Sequence, residues 1–489
     1  MTRLSRIDHL PGDVRVPAYD PAAHGEGIVH LGLGAFHKAH QAVYTDDALA
    51  ASGGDWRIVG VSLRSSGAVD ELTPQNGLYT VIAAGADSHE VRVIGALSRA
   101  LAHAHGDAPA VNAALAAPET RIVTVTVTEK GYGLDRASGG VDTAHPAIAH
   151  DLEHPDAPVG VAGLILRGLK QRHAAGIAPF TVLCCDNLPG NGELLRGLIL
   201  DLAARTAPEL RDWIAAEVAF PSSMVDRITP APGPDVREAA ERALGAEDHA
   251  AVQTEAFSQW VIEDRFTGGR PEWEAGGALF VTDVAPYERM KLRMLNGTHS
   301  MLAYAGFHSG KRYVRDVMRD ADLAALVRRH LSAAAATLDP LPGIDFEAYA
   351  AELAARFENP NLAHQTYQIA MDGTEKVPQR LFAPALDALE RGQPTRPFAF
   401  AVAAWLRHCL ARKDDGEVYE LQDPRADEIA TRLTEQDEAP AIVAAMFDLP
   451  GLVPDVLRQS DRFRDEVTDV LDAMLQGSVA GAVAREAAL

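Results

Sequence analysis

The stretch at 28–41, IVHLGLGAFHKAHQ, decides the fold. Its first half is an aliphatic run that reads as a buried strand; Gly32 ends it, Gly34 follows two residues later, and helix-forming residues take over. Glycines at those two places permit a tight turn and let backbone N–H groups approach a pyrophosphate where a helix begins, with Ala35 and Phe36 sharing the cradle. A complete Gly-x-Gly-x-x-Gly motif needs a third glycine at position 37, where the chain has His37. Two readings stand at this point: a dinucleotide turn, or an ordinary strand-to-helix connection.

Outward from this turn, short apolar runs alternate with helical stretches as far as Asp186, the order of a parallel sheet with crossover helices. AHQAVYTDDALAA (39–51) reads as a helix and WRIVGVSL (56–63) as a second strand. GLYTVIAA (77–84) and HEVRVIGAL (89–97) read as an inserted hairpin, APAVNAALAA (108–117) as a helix and TRIVTVTVT (120–128) as a strongly β-branched strand. VAGLILRGLKQRHAA (161–175) is helical and FTVLCCD (180–186) is another buried strand. The expected class is α/β: a Rossmann-type doubly wound sheet domain over 1–285, with insertions, followed by a mostly α-helical domain over 286–489. NAD binding calls for an acid after the second strand, to hold the ribose 2′-OH. SLRSSGAVD (62–70) instead puts Arg64 there, which either faces a 2′-phosphate or is solvated. NAD and NADP both remain open.

After Asn191 helices dominate, in NGELLRGLILDLAART (191–206) and PELRDWIAAEVAF (208–220). A strand at 277–284 then leads into helices at 314–336, 346–357, 381–391 and 399–411, with a charged helical run at the C-terminus. The chain of 489 residues is too long for one ordinary core, and its acidic residues outnumber Lys plus Arg by 68 to 45 for a net charge of −23. With no basic run, no footprint for nucleic acid is present. Cys184, Cys185 and Cys409 form neither a disulfide framework nor a zinc spacing, and no apolar stretch approaches membrane-spanning length. A cytoplasmic protein with no membrane or nucleic-acid partner is expected.

KLRMLNGTHS (291–300) places Asn-Gly inside an otherwise good helix, although Gly there costs roughly 1 kcal/mol relative to Ala. On an α-helix Glu288, Lys291, Asn296 and His299 fall within an arc of roughly 140°. A lysine with a lowered pKa serves as a general base, and amides hold an oxygen as charge develops on it. The same residues also fit an i,i+3 ion pair, a helix end and a satisfied core histidine.

The pattern Lys291-x-x-x-x-Asn296-x-x-His299 resembles the active-site helix of the long-chain mannitol dehydrogenase family, whose members interconvert polyols or aldonates with ketoses or ketouronates. GLGAFHKAHQ (32–41), TVTEKGY (126–132), CDNLPGNG (185–192), FPSSMVDRITP (220–230), QWVIEDRF (259–266) and MDGTEKVPQR (371–380) resemble further motifs of that family across nearly the whole chain. The resemblance implies Lys291 as general base, Asn187 and Asn296 as the oxyanion site, His299 positioning a substrate hydroxyl and Glu288 assisting proton exit. It implies hydride transfer to nicotinamide without a metal, and a monomer or weak oligomer. It would also explain the Asn-Gly pair by close approach of substrate and cofactor.

Asp226 either reaches a substrate hydroxyl or is a turn carboxylate, and Lys376 and Arg380 are either substrate-side cations or solvated. Glu129 and Lys130 follow a strand end, where ligands bind in such sheets. Lys130 resembles the fructuronate reductase branch, so D-mannonate/D-fructuronate leads, with D-mannitol/D-fructose close behind. A Schiff-base lyase using Lys291, a metal-dependent isomerase recruiting His30, His37 and His40, and a non-catalytic nucleotide-binding module are the rival readings.

Overall fold

The β-branched runs of the first half pair side by side into a parallel sheet, as seen in a computed structural model that describes residues 2–85, 89–135, 138–361 and 364–489. The strands are β1 (Glu26–Leu31), β2 (Arg57–Ser62), β3 (Tyr79–Ala84), β4 (His89–Ile94), β5 (Leu97–Ala102), β6 (Ile122–Val125), β7 (Leu134–Asp135), β8 (Gly140–Val141), β9 (Thr181–Cys184), β10 (Ser223–Asp226), β11 (Val252–Glu255), β12 (Gln259–Glu263) and β13 (Leu279–Val281). The main sheet runs β5-β2-β1-β6-β9, parallel throughout. Its strand order turns back between β1 and β6, the switch point at which α/β sheets bind ligands beyond their strand ends.

Alternate residues of these strands enter two separate cores. Val29, Val59, Val123 and Val182 pack on one face with the helix Val161–Ala174, while Ile28, Ile58, Ile122 and Leu183 pack on the other with the helix Gln41–Ser52. Burial on both faces is why the strands read as continuous apolar runs. The adjacent cysteines divide the same way, Cys184 to one core and Cys185 to the other.

The hairpin expected at 77–97 is present as β3 and β4, but it ends at Ile94. Residues Leu97–Ala102 form β5, the edge strand of the main sheet, of which only Leu97 falls in the stretch read as hairpin. β3 also takes β11 as a parallel neighbour, and β10, β12 and β13 make a third sheet.

The chain divides into two compact units, Met1–Ala285 and Pro286–Leu489. In the second, the helix Arg396–Cys409 is buried almost all round and packs against Thr298–His308 and Asp461–Gln476. The helix expected over 314–336 is two, Val314–Met318 and Ala321–Ala336, because the Asp320 side chain accepts from Leu323 N and caps a new start. The helix expected from Leu381 begins earlier, at Gly373.

Candidate active site

In the first unit Gly32 has φ +107°, and a Cβ there would fall 1.8 Å from the Thr126 carbonyl oxygen, so only glycine fits between β1 and the segment after β6. Gly34 is different: a Cβ would meet nothing closer than 3.7 Å. A helix starts at Ala35 and breaks at His40, where a second helix begins. His37, in place of the third glycine, lays its ring on that of His30 at 3.4 Å and 13°. Stacked imidazoles thus set the distance between helix and strand. Burial pushes the His30 pKa down to about 3, and its ring nitrogens bond Thr124, Thr126 and the Gly32 carbonyl. The rings of His30 and His40 are committed to hydrogen bonds inside the fold, so the trio with His37 is not arranged as a metal-ligand set.

A cavity of about 980 Å³ opens beyond the strand ends, lined by Gly32, Leu33, Ser62, Arg64, Val127 and Thr128 among others. Its position at the switch point and its size suit a dinucleotide. Gly34, Ala35, Phe36 and Glu129 do not line it, and Lys130 is exposed beside it. Phe36 instead stacks on His40 at 5.0 Å.

Asn187 is exposed just after β9, and Asp226 is buried at the end of β10, paired across the ladder with Gln259. Between β9 and Asn187 lies a residue the sequence reading passed over. Asp186 accepts from Val127 N at 2.8 Å and from the Tyr132 hydroxyl, and so ties the 127–132 loop to the segment that carries Asn187. Burial raises its pKa to about 6 against those two hydrogen bonds.

In the second unit Lys291, Asn296 and His299 follow one another along one helical run, but not on the expected α-helix. Residues Lys291–Gly297 form a π-helical turn between the α-helical segments Ala285–Met290 and Thr298–His308. Hydrogen bonds in a π turn run from i to i+5, which sets Asn296 one turn beyond Lys291, whereas an α-helix splays that spacing by roughly 140°. The 140° arc is therefore replaced by a closer alignment of the two side chains. Arg293 anchors the turn from behind, bonding the Thr337 carbonyl at 2.9 Å and pairing with Asp387 at 2.6 Å.

Gly297 has a steric cause within the protein itself. A Cβ there would lie 2.7 Å from the Arg380 carbonyl oxygen, in a second π-helical segment, Pro378–Phe382. Approach of protein backbone is enough to exclude a side chain here.

Lys291 is 6 % exposed and Asn296 8 %, so neither is a solvated surface group. The Asn296 Nδ2 is buried without a hydrogen-bond partner among the described residues. An orphaned buried amide of this kind is a donor waiting for an acceptor. Glu288 is half-buried on the same helix, one α-turn before Lys291.

His299 packs against Phe357 at 4.8 Å and meets His364 edge-on at 5.2 Å. Burial drives its pKa well down, and His364, Arg356 and Arg380 push the same way. Arg380 donates to Ser300 Oγ at 3.2 Å and has no carboxylate at ion-pair distance among the described residues. Burial lowers its pKa. Lys376 donates to the Met371 carbonyl at 2.6 Å and sees Asp372 at 3.4 Å; burial and then Arg380 lower its pKa. Phe357, His364 and Ser300 were missed in the sequence because no spacing links them to Lys291.

Comparison with known proteins accords with this geometry. Residues 26–275 match the mannitol dehydrogenase Rossmann domain and residues 283–475 the mannitol dehydrogenase C-terminal domain. The chain is 41% identical over 460 residues to the D-mannonate oxidoreductase of Escherichia coli, covering 92% of this chain and 94% of that one. It is 39% identical over 462 residues to the mannitol 2-dehydrogenase of Cereibacter sphaeroides, covering 94% and 95%. Among solved structures, Pseudomonas fluorescens mannitol 2-dehydrogenase in ternary complex with NAD and D-mannitol superposes with a TM-score of 0.84 at 37% identity, over 99% of each chain. The chain therefore belongs to the mannitol dehydrogenase family of oxidoreductases, with both of that family's domains present.

Proposed function

We propose that this chain interconverts a secondary alcohol of a sugar acid with the corresponding ketone, using a nicotinamide dinucleotide, with D-mannonate and D-fructuronate as the leading pair. NAD, when bound, accepts the hydride. Lys291 takes the alcohol proton, and Glu288 passes it outward. Asn296, with its unpartnered Nδ2, donates to the substrate oxygen as charge builds on it, and the family resemblance gives Asn187 the same role. His299 orients a neighbouring hydroxyl, and Asp226 holds another.

The observation that carries the acid over the polyol is the charge around His299. Arg380 and Arg356 act on it and Lys376 on its neighbour His364, Arg380 has no carboxylate at ion-pair distance among the described residues, and the direct counter-ion of Lys376 is Asp372. Burial disfavours the charged forms of Arg380 and Lys376, Arg380 adds repulsion at Lys376, and a substrate carboxylate relieves both. A neutral polyol relieves neither.

A spectrophotometric screen of fructuronate, tagaturonate, fructose and xylulose with NADH and NADPH tests the reading. Highest kcat/KM is expected on a ketouronate. Preference for fructose favours the second reading, a mannitol 2-dehydrogenase, which the Cereibacter sphaeroides relative's name supports. Covalent trapping of substrate on Lys291 by borohydride, with no cofactor turnover, supports a lyase instead.

A further inference from the structure

Nucleotide choice is decided where β2 ends, and in this chain no acid stands there. The ribose 2′-OH of NAD donates to an acid at this position, whereas the 2′-phosphate of NADP accepts from cations and hydroxyls. After Ser62 the chain reads Leu63, Arg64, Ser65 and Ser66, with no acid. The backbone of this turn is fixed twice: Ser62 Oγ donates to the Ser65 carbonyl at 2.6 Å, and the His105 ring bonds the Arg64 carbonyl at 3.0 Å.

The side chains of Arg64 and Ser65 are left exposed on the cavity wall, neither with a side-chain partner among the described residues. The same cavity is also lined by His103, His145 and His150. One carboxylate, Asp156, lines the cavity, and Lys170 pairs with it at 3.2 Å. The next acid along the chain, Asp70, lies outside the cavity lining and accepts from Ser66 Oγ at 2.9 Å. An NAD-selective wall would present an acceptor to the ribose; this one presents donors.

We propose that the turn Ser62 to Ser66 is a 2′-phosphate site, with Arg64 as the residue that selects it, so that the protein binds NADPH at least as tightly as NADH. The proposal rests on the dinucleotide reading of the cavity, and the experiment separates the two. Equilibrium binding is measured by quenching of intrinsic fluorescence for NADPH and NADH, and by calorimetry for adenosine 2′,5′-bisphosphate against 5′-AMP, which tests the adenosine end alone.

NADPH is expected to bind as tightly as NADH or tighter, with a steeper loss of affinity as salt is raised, and the bisphosphate is expected to outbind 5′-AMP. A charge-assisted contact at Arg64 makes the NADPH-to-NADH affinity ratio fall about tenfold or more in Arg64→Ala, with partial recovery in Arg64→Lys. Ser65→Asp is expected to tilt the ratio toward NADH. Tight NADH binding with NADPH more than about tenfold weaker overturns the proposal and leaves the cavity a dinucleotide site. An affinity ratio unmoved by Arg64→Ala also overturns it. Binding of neither dinucleotide removes the cavity reading itself and the proposal with it.

Discussion

Replacing Gly297 by alanine sets two effects of opposite sign against each other. On propensity alone the change stabilises a helix by roughly 1 kcal/mol, because glycine carries the greater backbone entropy. Packing opposes it. The new Cβ would lie 2.7 Å from the Arg380 carbonyl oxygen, about 0.7 Å inside the 3.4 Å at which ordinary contact begins, and the obstacle is backbone rather than a side chain able to swing aside. Overpacking against a rigid neighbour costs about 1–3 kcal/mol, so a net loss of about 1 kcal/mol is expected. For a unit of this size that corresponds to a Tm lower by roughly 2–4 °C, measured by scanning calorimetry. The two π turns must part to make room, which displaces Asn296 from Lys291. A misplacement approaching ~1 Å lowers turnover by up to about a hundredfold. An unchanged or raised Tm with normal turnover would refute the argument that the approach of Arg380 is what requires glycine.

Lys291→Ala is expected to reduce turnover by several orders of magnitude, with dinucleotide affinity near wild type in a fluorescence titration; undiminished turnover would exclude Lys291 as the base. Arg380→Gln should raise KM for fructuronate by about tenfold or more while shifting KM for fructose much less, and equal shifts would remove the carboxylate role. Asp186→Asn addresses pH. A carboxyl whose folded pKa, about 6, stands above its ordinary 3.8 favours the folded state fully below 3.8, and that contribution is lost as pH rises through 6. Both hydrogen bonds to Asp186 end on Oδ2, so an asparagine carbonyl accepts them without the titration. Relative to this variant, the wild type should lose about 3 kcal/mol of stability between pH 3 and pH 7 in denaturant titrations. Parallel pH profiles would show that Asp186 does not titrate in this range.

The parallel sheet was legible because its strands are buried on both faces, and β-branched runs such as Ile122–Val125 leave little else to form. β5 was not, since its residues follow the hairpin after only Gly95 and Ala96, and composition does not say that the chain changes sheets there. Sequence also could not tell the pairing of β10 with β12 and of β11 with β3, which joins segments far apart in the chain. The strand-to-helix turn is legible in Gly32 and Gly34, while the absence of a third glycine is explained by His37 stacked on His30.

The π turn is the more instructive case. An α turn and a π turn draw on the same residue preferences, so KLRMLNGTHS carries no local mark of which it adopts, and the Asn-Gly pair looked like a defect in a helix. The choice is made at a distance, by Arg380 bringing its carbonyl against Gly297 and by Arg293 reaching Thr337 and Asp387. Those contacts hold Asn296 one turn from Lys291, a spacing of five that an α-helix does not align. Lys376 and Arg380 belong to the same second helix, so the element that sets the π turn also brings Arg380 toward His299 and Lys376 toward His364. The two motifs, 80 residues apart in sequence, thus act as one unit: a substitution that loosens the packing of the second helix on the first should disturb together the lysine proposed as the base and the cations proposed to face a carboxylate.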